Sequence, residues 1–292
     1  MTPVDIIRTN SQPLAPQATD AAAETPAFEG IRAVLFDVYG TLFISASGDI
    51  SLASLSNRGD AVVAALESVG LQPGNCTGDD LVAALHAEIK QAHQASEHEF
   101  PEVDIHKVWR AVLKAELDAE VVDDASLARL AVEYETQVNP VWPMPGLVEC
   151  LAEIHKAGLA LGIVSNAQAF TRELFPALAN GSLRELGFEE DLCVWSYEHL
   201  QAKPGRWLYE RAVEALATRG IAPSEALYVG NDMRNDVAPA AAVGFRTVLF
   251  AGDARSLRLR EGDAIVAGVS PDAVVTDLRQ ILHILRLAPE AG

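Results

Sequence analysis

Hydrophobic positions follow two patterns along this chain. Short apolar runs, Ile31 to Phe36 (broken only by Arg32), Leu159 to Val164, Leu192 to Trp195 and Ala226 to Val229, are too short for helices and suit strands buried on both faces. Between about Ile44 and Pro140 the period changes to that of a helix: Ala61 to Val69, Asp79 to Ala95 with an acidic first turn, Val103 to Leu117 and Ser126 to Val138. From Gly146 onward helices (Leu147 to Ala157, Thr171 to Leu178, Arg206 to Thr218, Val237 to Val243) alternate with strands, through Arg246 to Phe250, an edge strand at Ala273 to Thr276 and a closing helix at Gln280 to Leu287. Such alternation predicts an α/β fold, a Rossmann-like parallel sheet covered on both faces, interrupted by an inserted helical segment. The core is expected at 30–43 and 141–292 and the insertion at 44–140, with the three prolines of Asn139 to Pro145 as the return hinge. Residues 1–29, rich in Ala, Pro, Thr and Gln, lack the basic start and apolar core of a signal peptide and are expected to form a disordered tail.

The candidate chemistry lies at the ends of the strands. Asp37 follows the first strand and is succeeded by Val38, Tyr39, Gly40, Thr41 and Leu42. Open α/β sheets bind ligands at that edge, and a carboxylate there can attack an electrophile. Gly40 is free to take positive φ and Thr41 adds a hydroxyl. Ser165 and Asn166 end the second strand, Lys203 and Pro204 precede a helix, and the third strand runs into Gly230, Asn231, Asp232, Met233, Arg234, Asn235 and Asp236. Taken singly, each has an ordinary reading: turn residues, helix caps, a solvated lysine, a first-turn proline, acids at a helix start.

Together, in this order, the four segments resemble the haloacid dehalogenase-like hydrolase superfamily over Ile31 to Phe250, whose pattern is a nucleophilic Asp in D-x-x-G-T-L, then Ser or Thr, then Lys, then a closing acidic pair. The resemblance implies that Asp37 forms a covalent ester or acyl phosphate that water then hydrolyses. Lys203 would orient Asp37 and balance charge, and Ser165, Asn166, Thr41 and Tyr39 would contact the substrate. Mg²⁺ would be held by Asp37, the Tyr39 carbonyl and Asp232, with Asp236 and Asn231 as further candidates. The helical insertion would be a cap that closes over the nucleophile and sets substrate choice.

Two features pull apart. Tyr39 stands where phosphatases of the superfamily place a second Asp as general acid and base, and it resembles instead the D-x-Y-G-T-L-F form of 2-haloacid dehalogenases, whose leaving halide needs no proton. The closing motif, with Asp232 and Asp236, resembles the metal-dependent branches. Three readings therefore stay open: a Mg²⁺-dependent hydrolase of a small phosphorylated or similarly anionic metabolite, a metal-independent 2-haloacid dehalogenase, and a non-catalytic binding or regulatory protein. For the arginine that dehalogenases use to hold substrate, Arg58 and Arg110 are the candidates.

Composition narrows the partners. With 49% hydrophobic residues the 292-residue chain can bury a sizeable core. Lys and Arg number 22 against 41 Asp and Glu, a formal charge of −19, which argues against nucleic acid or an anionic membrane as partner. Cys76, Cys150 and Cys193 form no C-x-x-C, so a cytoplasmic setting without disulfides or zinc is expected, and no run approaches the roughly 20 apolar residues of a membrane span. His86, His93, His98 and His106, with Glu97, Glu99 and Glu102, suggest a metal cluster, but His86 and His93 lie two helical turns apart and read better as a solvated face. The oligomeric state is left open.

Overall fold

The structure, a computed structural model, describes residues 1–45, 58–119 and 122–287; parts of the expected insertion (46–57 and 120–121) and of the expected core (288–292) lie outside the described residues. In chain order the strands are β1 (Ala33–Phe36), β2 (Phe43–Ser45), β3 (Val141–Pro143), β4 (Ala160–Ser165), β5 (Phe188–Trp195), β6 (Ala226–Gly230), β7 (Arg246–Phe250) and β8 (Ala273–Val275). Six form one parallel sheet in the order β5-β4-β1-β6-β7-β8. Every residue of β1 and β6 is buried, as unbroken apolar runs in a two-sided parallel sheet require.

The helices are α1 (Pro3–Asn10), α2 (Arg58–Ser68), α3 (Gly78–Ala95), α4 (Ile105–Leu117), α5 (Asp124–Val138), α6 (Leu147–Lys156), α7 (Leu174–Leu178), α8 (Ser196–His199), α9 (Trp207–Thr218), α10 (Ala238–Ala242) and α11 (Gln280–Ile284). Helices α2 to α5 occupy the insertion. Local chemistry starts α3 where the acidic turn predicts: Thr77 accepts from the Asp80 amide while the Asp80 carboxylate takes the Thr77 amide at 2.9 Å, a capping box. The insertion is entered and left through β2 and β3, which pair antiparallel with Ile44 opposite Trp142. Three-residue strands carry too little periodicity to be read from sequence, and β3 lies inside the segment read as a hinge.

The expectation of a disordered tail is corrected. Thr2 caps α1, Ile6 and Ile7 are buried, and Arg8 donates to the carbonyls of Pro176 (2.5 Å) and Ala177 (3.1 Å) beside α7. Asn10 donates to Glu133 and Thr136 of α5, so α1 bridges the insertion and the core. Further on, Gln17 accepts from Ala254, Thr19 donates to Ala251, and Glu24 pairs antiparallel with Val274 of edge strand β8. A short helix with two apolar anchors is unstable alone and forms only when docked, which is why its composition reads as disorder. Among the described residues no helix is long and apolar enough to cross a membrane.

Docking of α1 predicts that Ile7→Ala destabilises the protein by about 2–5 kcal/mol in urea denaturation. An unchanged midpoint would mean that the segment does not pack.

Candidate active site

Strand β1 lies between β4 and β6, so the carboxyl ends of all three are neighbours. This brings Asp37 (after β1), Ser165 (the last residue of β4) and Asn231 to Asp236 (after β6) together, with Lys203 arriving from the turn before α9. The buried Lys203 ammonium lies 2.7 Å from Asp37 Oδ1 and 2.6 Å from Asp236 Oδ1, and 3.3 Å from both the Tyr228 hydroxyl and the Val164 carbonyl. Burial alone would make Lys203 easier to deprotonate; the charges of Asp236 and Asp37 outweigh it and hold the ammonium above its ordinary pKa. Burial pushes Asp236 up to about 7, with Lys203 pulling it down and the charges of Asp37 and Asp232 pushing it further up. Ser165 donates to Asp37 Oδ1 at 3.0 Å. Asn166 accepts from the Lys203 amide (2.7 Å) and donates to the Lys203 carbonyl (3.2 Å), fixing the backbone from which the ammonium reaches.

The loops around Asp37 are stitched to one another. Gly40 has φ +83°, and a Cβ there would lie 2.6 Å from Ser256 Cβ and 2.7 Å from Asn231 Nδ2, so both conformation and space exclude a side chain. Thr41 donates to Asn231 Oδ1 (3.1 Å), and Asn231 Nδ2 donates to the Ser256 carbonyl (2.6 Å). Asp232 caps the π-helical turn Met233–Val237 through the amides of Arg234 and Asn235, and Arg260 grips both its oxygens, Nη2 to Oδ2 at 2.6 Å and Nε to Oδ1 at 3.2 Å. Asp236 accepts the Asp232 amide on Oδ2 (3.0 Å) and Lys203 and Tyr228 on Oδ1, so both its oxygens are engaged.

These groups surround a cavity of about 260 Å³ whose walls include Asp37, Tyr39, Asn166, Lys203, Asn231, Asp232 and Asp236. Two of the residues expected from the sequence stand elsewhere: Ser165 lies fully buried behind Asp37, and Thr41, expected to touch substrate, is fully buried with its hydroxyl on Asn231. Glu102, Arg258 and Arg260 also line the cavity and were not identified from the sequence. The two arginines come from the loop after β7, held by bonds from the Arg258 amide to the Asn231 carbonyl (3.0 Å) and from the Met233 amide to the Arg258 carbonyl (2.9 Å). Nothing in their spacing signals this return. Glu102 was visible only as part of the histidine- and glutamate-rich stretch.

Neither Arg58 nor Arg110 lines this cavity. Arg110 pairs with Asp124, and Arg58 borders a second cavity of about 480 Å³ with His86, Tyr134 and Glu135. Among the described residues no three His, Cys, Asp or Glu side chains gather closely enough to hold a metal ion by themselves. Tyr39 turns its hydroxyl to Thr171 Oγ1 at 3.0 Å; burial, reinforced by the nearby Glu135 charge, lifts the phenol far above its ordinary pKa despite that bond. Glu135 in turn is pushed up to about 7 by burial, with the Asn139 amide and the Arg58 charge pulling it back.

A family model described as haloacid dehalogenase-like hydrolase matches residues 31–244. The chain is 24% identical over 259 residues to a glyceraldehyde 3-phosphate phosphatase of Methanopyrus kandleri, covering 88% of this chain and 97% of that one. It is 33% identical over 109 residues to a ribulose-1,5-bisphosphate 5-phosphatase of Halopiger xanaduensis, covering 37% and 41% of the two chains. A solved 2-haloacid dehalogenase from Pseudomonas syringae superimposes with a TM-score of 0.53 at 21% identity, over 88% of this chain and 100% of the other, a likeness of fold.

The raised pKa of Glu135 fixes the sign of a pH effect. Its folded value lies above its unfolded one, so the folded chain binds the proton more tightly and Glu135's contribution falls as pH rises from about 4.5 through 7. Urea denaturation at pH 5 and pH 8 should therefore show Glu135→Gln gaining roughly 1–3 kcal/mol on the wild type between the two. An identical pH dependence in both proteins would refute the assignment.

Proposed function

The chain belongs to the haloacid dehalogenase-like hydrolase family, and on that premise we propose that this hydrolase is a Mg²⁺-dependent phosphatase of a small phosphorylated metabolite, working through a covalent intermediate on Asp37. The observation that carries this reading is the cavity itself, which sets three cations, Lys203, Arg258 and Arg260, among four carboxylates that include Asp37. A phosphoryl group needs that charge, since its transfer depends on positioning and electrostatic stabilisation. The phosphatase relatives support the same choice. A volume of about 260 Å³ falls below the roughly 300–1,000 Å³ of most ligand pockets, in keeping with a small substrate.

Each residue then has a task. Asp37 Oδ1 carries the bonds from Lys203 and Ser165, which leaves Oδ2 to attack phosphorus. Lys203 holds the carboxylate in one orientation and offsets the charge that gathers as the anion arrives. Arg258 and Arg260 add positive charge to the wall that the incoming group would meet, Arg260 from its place on Asp232, and Asn166 fixes Lys203. The donor set suits Mg²⁺, a hard ion that takes oxygen ligands: Asp37, the Tyr39 carbonyl and Asp232 would hold it. When bound it supplies further neutralisation of the phosphoryl oxygens. Asp236, with both oxygens engaged, serves as counter-ion to Lys203, and Asn231, with both ends of its amide engaged, ties the loops together. Tyr39 is the one observation that favours a 2-haloacid dehalogenase, against which the charged cavity wall weighs.

A panel of phosphate esters and 2-haloacids, assayed with Mg²⁺ and with EDTA, tests the proposal. Phosphate release is expected with Mg²⁺ and its loss in EDTA, and Asp37→Asn should lower turnover by roughly 10⁴-fold. Chloride release from 2-chloropropionate in EDTA, with no phosphate release from any ester, would establish the dehalogenase reading instead. Calorimetry should find Mg²⁺ binding weakened in Asp232→Ala, and equal binding in both proteins would remove Asp232 from the site.

A further inference from the structure

Cleaving a phosphate ester of an alcohol requires a proton for the departing oxygen, and hydrolysing the acyl phosphate that follows requires a base for water. Most ionisable side chains around the cavity are already committed. The Tyr39 hydroxyl is bonded to Thr171, Lys203 is shared between two carboxylates, and Asp232 is gripped by Arg260.

Glu102 is differently placed. It lies between α3 and α4, in a segment pinned to the core loop that carries Lys203: the Ala202 amide donates to the Phe100 carbonyl (2.8 Å), the Glu102 amide donates to the Leu200 carbonyl (3.0 Å), and Pro101 bridges to Gln201. Its side chain enters the cavity that holds Asp37. Oε1 accepts from the Val103 amide (2.8 Å) and Gln168 Nε2 (3.3 Å), and Oε2 accepts from Ser196 Oγ (2.8 Å). A carboxylate offers about four acceptor sites, so these three bonds fix its orientation and leave one site on Oε2. No lysine, arginine or histidine pairs with it among the described residues. Burial raises its pKa, while the bonds from Val103 and Ser196 draw it down, so a proton is held more readily than on an ordinary glutamate.

We propose that Glu102 is the general acid and base of the reaction at Asp37, taking the task that Tyr39 does not perform. In the first step Asp37 Oδ2 bonds to phosphorus as the ester P–O bond breaks, and the Glu102 carboxylic acid gives its proton to the leaving oxygen. In the second step the Glu102 carboxylate takes a proton from water, whose oxygen bonds to phosphorus as the P–O bond to Asp37 breaks. This releases phosphate and returns both side chains to their starting states. Both steps as written rest on the phosphatase reading; what the dehalogenase reading shares is the activation of water by Glu102, there for attack on the carbonyl carbon of an Asp37 ester.

The test is Glu102→Gln, which preserves shape and removes the exchangeable proton. Rates on an alkyl phosphate should fall about 10²- to 10⁴-fold, and the first step with p-nitrophenyl phosphate, whose leaving group barely needs protonation, should fall far less. Rapid-quench mass spectrometry should find the phosphorylated Asp37 peptide accumulating. Equal losses on both esters without accumulation would overturn the proposal while leaving the phosphatase reading intact. If Glu102→Gln does not fold, Glu102→Ala with added formate replaces it: restored turnover supports the assignment, and none overturns it. Should the wild type release halide but no phosphate, the phosphatase reading fails, yet Glu102→Gln is still expected to trap an ester on Asp37. No intermediate on Asp37 with either substrate class overturns both.

Discussion

The site depends on one buried ammonium shared by two buried carboxylates. Lys203 sits within 2.7 Å of Asp37 and 2.6 Å of Asp236, and none of the three has appreciable access to water. Taking three charges out of water is costly, and the cost is met here by short bonds plus polar contacts from Tyr228, Ser165 and the Asp232 amide. Losing one partner of such a set leaves an uncompensated buried charge, a penalty of about 3–5 kcal/mol. Asp37, which lines the cavity, is thereby held with Oδ1 occupied by Lys203 and Ser165. A side chain fixed in this way would lose little entropy if it reacts as proposed.

The sheet brings the two carboxylates of that set together, and Lys203 reaches them from the turn before α9. Parallel strands β4, β1 and β6 put their carboxyl ends side by side, so Ser165, Asp37 and Asp236 need travel only a few residues from the sheet. Asn231 then joins the loop after β1 to the loop after β7 through Thr41 and Ser256, and the missing side chain at Gly40 lets those loops close on each other. The second loop brings Arg258 and Arg260 to the cavity. It is itself backed by the amino-terminal segment, where Arg255 donates to Ala15 and the Gln17 amide donates to Asp253. A segment far from Asp37 in sequence thus backs the loop that carries two of the cavity's three cations.

Charge in the cavity is nearly balanced before any ligand enters. Four acids, Asp37, Glu102, Asp232 and Asp236, face three bases, Lys203, Arg258 and Arg260. The strongly acidic whole chain says little about this balance, because buried charges are governed by immediate partners and distant surface charges are screened within about 10 Å. Arg260 on Asp232 keeps that carboxylate paired in the absence of another cation, so a metal arriving there has to share it or displace the guanidinium.

The sequence by itself determined the framework. Apolar runs long enough to be strands and ending in Asp37, Ser165 and Asp232 specify a parallel sheet with chemistry at its carboxyl edge, because a strand buried on both faces needs continuous hydrophobicity and its end marks a turn. Helices α2 to α5 lie between β2 and β3 as their period required. Tertiary structure decided the rest. Whether Thr41 is open to the cavity or holds Asn231, whether residues 1–29 are loose or docked, and whether Glu102, Arg258 and Arg260 line the cavity beside Asp37 depend on contacts between positions far apart in the chain. Periodicity records only how a residue sits relative to its near neighbours. A long-range contact leaves no local mark, since Arg260 would have the same sequence neighbours wherever its loop folded.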